Sequence, residues 1–174
     1  MRLAYYVLRQ PERFAQNLSE AIVEAREKLR FCATCCDFAE ETFCKICSNP
    51  NRADEIICVV EEPSDVVAFE KSRQFNGKYH VLHGALSPLD GIDESKLKIL
   101  QLQERIKAGA VKEVILATNP TVEGDTTALY IARLIKYNEG VKVSRIAHGI
   151  PVGAEIEYLD GATLMKALQN RIAL

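Results

Sequence analysis

The chain has 174 residues, 48% hydrophobic and 26% charged, with no Trp and a formal net charge of -2. That length holds one compact domain with a small appendage, and the near balance of charge excludes the global basic field that announces a nucleic-acid binder. The longest apolar runs, such as IICVV at Ile56 to Val60, are far short of the roughly 20 residues needed to cross a bilayer, and no charged n-region precedes an apolar run at the N-terminus; a soluble, cytoplasmic protein with no membrane partner is expected.

In chain order, MRLAYYVLRQ predicts a short helix, and Pro11 restarts the helical pattern at an N1 position. From Pro11 to Arg30, Phe14, Leu18, Ile22, Ala25 and Leu29 recur at helical spacing on one face. That face is expected to pack against something. Next comes a cysteine cluster, with five of the six cysteines between Cys32 and Cys47. Disulfides belong to oxidising compartments and nothing suggests secretion, so the clustering points to metal. CATCCDFAEETFCKIC places Cys32 and Cys35 on one CxxC turn, Cys44 and Cys47 on another, with eight residues between them. Two such knuckles close a tetrahedral four-sulfur site, and a loop with so little apolar sequence needs a cross-link or a metal to fold. The expectation is structural Zn²⁺ on Cys32, Cys35, Cys44 and Cys47, with no open coordination position. A redox pair and unliganded buried cysteines are the alternatives. Cys36 and Cys58 are read as non-ligands, Cys58 as a small core residue.

SNPNRAD at Ser48 to Asp54 is a turn-rich boundary. Beyond it, strands are predicted at Ile56 to Val60, Tyr79 to His83, Glu113 to Ala117 and Lys142 to Ile146. Helices are predicted at about Pro63 to Arg73, Ser95 to Lys107, Asp125 to Tyr137 and Gly161 to Arg171. The strands are apolar throughout, without two-residue alternation, as happens when helices cover both sheet faces. The fold class is therefore α/β with a mainly parallel sheet, preceded by a helical segment and the four-cysteine finger. Ligands in such sheets gather beyond the carboxyl ends of strands.

The first and third of these strands end in acidic sequence: Glu61 and Glu62 after one, Asn119, Thr121, Glu123 and Asp125 after the other. Carboxylates in that position suit a hard cation such as Mg²⁺, or a basic partner protein. The same residues also suit turns and caps: Asn-Pro initiates a turn, Asp125 is a good N-cap, and Pro63 and Asp65 fit a first helical turn. The histidines, His80, His83 and His148, have no partner by spacing and are read as core or surface residues.

VVEEPSDVV followed by LATNPTVEGD resembles the Toprim domain of topoisomerases and bacterial primases. Glu61 matches that family's glutamate, and Glu123 and Gly124 match its Glu-Gly; Asp125 stands where its last Glu would be. Asn119 and Thr121 occupy the positions of its two metal-binding aspartates, which implies a disabled metal site. Four cysteines followed by such a degenerate Toprim resemble the bacterial RecR recombination-repair family. CKICSNPNR, ICVVEEPSDVVAFE, HVLHGALSPLDGI, EVILATNPTVEGDTTALYIARLI and SRIAHGIPVGAEIEYLDGATLMKAL extend the likeness over essentially the whole chain.

The resemblance implies a DNA-binding, non-catalytic mediator that acts with RecO and RecF to load RecA at single-stranded gaps, as a ring-like homo-oligomer, a tetramer. The rival expectation is a metal-dependent Toprim nuclease or primase-like enzyme using Glu61, Glu62, Glu123 and Asp125. In that family the chain opens with a helix-hairpin-helix, of which MRLAYYVLRQP matches the second helix; Arg2 and Arg9 on it are the candidate DNA contacts. The expected division is 1–30 N-terminal helices, 31–53 zinc finger, 54–150 Toprim-like domain and 151–174 C-terminal segment. No GxxxxGK[ST] occurs, so no phosphate cradle for ATP is expected.

Overall fold

A computed structural model describes residues 2–136 and 140–172. Two helices come first, α1 (Arg2–Leu8) and α2 (Glu12–Lys28). Pro11 takes the cap position of α2 rather than its first turn, with φ -58° and ψ 150°, an extended geometry that proline tolerates. The apolar stripe of α2 is present but has no cover: no residue of the helix is buried, and Ile22 is 60% exposed. The Tyr6 and Phe14 rings meet edge-on, with centroids 5.9 Å apart, and tie α1 to it.

The cysteine loop follows as a small antiparallel hairpin, β1 (Arg30–Phe31) against β2 (Phe38–Ala39). Beyond it lie four parallel strands, β3 (Ala53–Val60), β4 (Gly77–Val81), β5 (Glu113–Leu116) and β6 (Lys142–Arg145), in the order β4-β3-β5-β6. Between and after them run α3 (Pro63–Ser72), α4 (Ile99–Lys107), α5 (Val122–Ile135) and α6 (Gly161–Gln169). The α/β class with a parallel sheet is thus as the sequence implies. Strand β3 starts earlier and β4 both starts and ends earlier than the apolar runs suggest, and α4 starts later, after a short 3-10 turn at Glu94–Lys96. The predicted end of α5 at Tyr137 lies outside the described residues.

Both faces of the sheet are covered, which is why the strands read as unbroken apolar runs. Successive side chains of a strand point to opposite faces. Ile57 and Val59 join Leu102, Ile106, Val114, Ile131 and Ile135 in one buried cluster, while Cys58 and Val60 join Val66, Tyr79 and Val81 in another. Cys58 is therefore the core residue its context suggested.

The cysteine loop is fastened to the outer strand β4. The Val81 amide donates to the Cys35 carbonyl at 2.8 Å, and Lys78 Nζ donates to the Cys47 carbonyl at 3.0 Å. Arg52 forks onto Glu70 of α3, which also accepts from the Tyr79 hydroxyl at 2.7 Å. No helix among the described residues is long and apolar enough to cross a membrane.

Candidate functional site

Each CxxC turn folds its backbone back on itself. The Cys36 amide donates to the Cys32 carbonyl at 3.0 Å and the Ser48 amide to the Cys44 carbonyl at 3.0 Å. Cys36 itself takes a left-handed φ of 63°, which closes the first knuckle and turns its side chain out of the cluster. The sulfurs of Cys32, Cys35, Cys44 and Cys47 lie within 4.8 Å of one another. Cys35 Sγ and Cys44 Sγ are 3.6 Å apart. Metal–sulfur bonds of about 2.3 Å at a tetrahedral angle require roughly 3.8 Å between sulfurs, so the cluster fits a four-coordinate cation. Backbone amides of Cys44 and Cys47 already donate to Cys32 Sγ and Cys44 Sγ, at 3.3 and 3.4 Å. Shared protons draw the Cys44 thiol well down, through its bond from Cys35, and push Cys35 up. The donor set suits a thiophilic ion.

At the carboxyl ends of the neighbouring strands β3 and β5, the acidic residues are divided in two. Glu61 is 8% exposed, and both of its oxygens are engaged by one residue. Oε1 accepts from the Asn119 backbone amide at 2.9 Å and Oε2 from Asn119 Nδ2 at 2.6 Å. Gly124 allows this approach, because a Cβ there would lie 2.1 Å from the Asn119 carbonyl oxygen and 2.8 Å from Glu61 Oε1. Thr118 Oγ1 donates to the Gly124 carbonyl at 2.7 Å and locks the turn.

Asp125 was expected to cap α5, and the structure corrects this. The cap is Thr121, whose hydroxyl accepts from the Gly124 amide at 3.0 Å, so the helix starts at Val122. Asp125 lies within the first turn, between two cations: Arg145 at the end of β6 and Lys166 of α6, the latter at 2.9 Å. The bond from Lys166, with the charge of Arg145, holds its carboxyl below the ordinary range. Glu62 and Glu123 remain exposed. Glu62 caps α3 through its backbone amide, which donates to Asp65 Oδ2 at 2.8 Å. The four acidic residues are thus neighbours in space but not one open patch: Glu61 and Asp125 are held by Asn119 and by Arg145 with Lys166, whereas Glu62 and Glu123 make no ion pair among the described residues.

The remaining candidates lie apart. Arg2 and Arg9 are exposed on and just after α1, and neither makes an ion pair among the described residues. His80 is fully buried, its Nε2 donating to the Lys98 carbonyl at 2.8 Å; burial lowers its pKa to about 4. His83 donates to the Cys36 carbonyl at 2.6 Å and so joins the end of β4 to the first knuckle. His148 lies beside Arg145 and Lys166, and burial foremost lowers its pKa. Sequence reading missed Arg145 and Lys166. Arg145 left one signal, a charged side chain at the carboxyl end of a core strand.

A family model described as Toprim domain matches residues 55–147, and one described as RecR, C-terminal matches residues 149–172. The chain is 54% identical over 170 residues to the "Recombination protein RecR" of Heliobacterium modesticaldum, covering 98% of this chain and 85% of the relative. The protein of that name from Pelotomaculum thermopropionicum is also 54% identical over 170 residues, with 98% and 84% covered. That of Geotalea uraniireducens is 50% identical over 174 residues, with 100% and 87% covered. The Toprim match runs from the start of β3 to just past β6 and takes in both acidic strand ends. With such similarity along its whole length, the chain belongs to the RecR family of recombination proteins.

Proposed function

We propose that the chain is a DNA-binding, non-catalytic mediator of recombinational repair. The observation that carries this reading is the closed pairing of Glu61 with Asn119. Two-metal phosphoryl chemistry needs carboxylates free to bind hard cations. Here the buried carboxylate is occupied by an amide, and Asp125 is neutralised by Arg145 and Lys166. The strand-end frame then serves as a rigid surface, with the exposed Glu62 and Glu123 offered to a basic partner. By family resemblance those partners are RecO and RecF, and the outcome is RecA loading at single-stranded gaps in the cytoplasm.

In this reading Cys32, Cys35, Cys44 and Cys47 hold structural zinc. Closed four-sulfur coordination leaves no place for a substrate water, so the ion's role is to fold the loop. Arg2 and Arg9 meet DNA phosphates, and the uncovered face of α2 is an assembly surface of a ring-like homo-oligomer, a tetramer. The chain divides into N-terminal helices to residue 30, the zinc finger to 53, the Toprim-like domain to 150 and a C-terminal segment.

The test combines binding and chemistry. The zinc-loaded protein incubated with supercoiled or gapped DNA and Mg²⁺ is expected to retard the DNA without nicking, relaxing or ligating it. Cleavage that disappears in Glu61→Gln would overturn the reading.

A further inference from the structure

The hairpin that carries Cys32 and Cys35 also presents an aromatic surface that neither the sulfur cluster nor the strand-end site uses. Phe31 and Phe38 are directly opposed in the register of β1 and β2. Their rings lie 20° from parallel with centroids 5.7 Å apart. A third ring, His83, stands 4.6 Å from Phe31. Its place is fixed by the bond to the Cys36 carbonyl and a left-handed φ of 61°. Both phenylalanines stay 50% exposed, which leaves aromatic surface open to another planar group.

A cation stands at the Phe31 edge of this surface. Lys98 Nζ is 5.3 Å from the centre of the Phe31 ring, held there because its backbone amide donates to the Leu82 carbonyl at 3.0 Å. Of the acids on this hairpin, Asp37 is half-buried, its Oδ1 accepting from the Phe38 amide at 2.8 Å, while the exposed Glu40 and Glu41 follow the hairpin and line a groove with Phe38. Ordered aromatic faces flanked by cations take the π-face of a base and the phosphate beside it. A duplex keeps its base faces stacked inside, so only an unpaired strand can use such a surface.

We propose that Phe31, Phe38 and His83, with Lys98 at their edge, form a stacking platform for the unpaired bases of single-stranded DNA. This rests on the DNA-binding reading above. The chain contains no Trp, so Phe31→Trp places a single fluorophore on the platform. Its emission should be quenched by a thymidine oligonucleotide, with the same midpoint as the anisotropy rise of a labelled oligonucleotide, and left unchanged by a blunt duplex. Phe38→Ala, with its thiol-bound metal content intact, should weaken oligonucleotide binding by roughly fivefold or more.

Oligonucleotide binding by anisotropy with silent Trp emission would overturn the platform while leaving the DNA reading standing. Equal quenching of a Trp placed at Leu129, far along α5, would overturn it as well. Loss of all oligonucleotide binding at low salt would sink both readings together. If Phe31→Trp does not fold, Phe38→Trp serves as the reporter. An emission change on concentrating the protein, with scattering mass rising in step and no response to DNA, would assign the face to a second copy of the chain.

Discussion

Asn119 holds both oxygens of the buried Glu61 through its own backbone and side-chain amides. Asn119→Asp exchanges one donor for a second negative charge. Losing a hydrogen bond to a charged group costs on the order of 1.5–3 kcal/mol, so the unfolding free energy should fall by about that amount, lowering the urea midpoint, and millimolar Mg²⁺ should restore part of it. An unchanged midpoint in chelator would show that Asn119 does not support Glu61. His80 illustrates a different residue-scale effect. Burial lowers its pKa to about 4 from an ordinary 6.5, with Arg105 and His83 adding repulsion. The unfolded chain therefore binds the proton more readily, so the contribution is present above pH 6.5 and is lost as pH falls toward 4. At about 1.4 kcal/mol per pH unit this amounts to roughly 3 kcal/mol. Urea unfolding at pH 7 and pH 5 should show that dependence in the native protein and a flatter one in His80→Gln.

At the scale of elements, Asp125 joins three of them: α5, β6 through Arg145 and α6 through Lys166. Asp125→Asn weakens both pairs and leaves two cations facing each other, so α6 should detach more often. Limited proteolysis between Gly149 and Asp160 should quicken severalfold while the remainder resists; an unchanged cleavage rate would show that α6 is held by other contacts. The CxxC knuckles, the parallel sheet and the strand-end location of the acids were all readable from the sequence, because each is written in local spacing or in apolar runs. Pairing was not readable. Glu61 finds Asn119 across 58 positions and Lys166 finds Asp125 across 41, and nothing in local pattern links them. The start of α5 was misplaced for a local reason: Thr121 and Asp125 are both good caps, and the tight turn at Gly124 decides between them. The aromatic pair on the hairpin went unnoticed because Phe31 and Phe38 become neighbours only once the metal loop closes.

For the whole molecule, α2 is the most conspicuous surface. Its stripe of Phe14, Leu18, Ile22, Ala25 and Leu29 has the pattern of a buried face, yet no residue of the helix is buried. If this stripe joins copies of the chain, Ile22→Glu should lower the mass seen by light scattering while leaving the circular dichroism of the Toprim-like domain intact. An unchanged mass would remove α2 from the assembly. The fastening of the cysteine loop to β4 carries a further consequence. β4 is an edge strand of the sheet, and the amide of its Val81 donates to the Cys35 carbonyl. A strand with unsatisfied backbone groups on its free side is a template on which other chains can add. The metal loop is thus an edge guard as well as a folding unit. Stripping the ion with a chelator should produce thioflavin-positive aggregates before the domain itself melts, and a chelated protein that stays monodisperse would show that β4 needs no such cover.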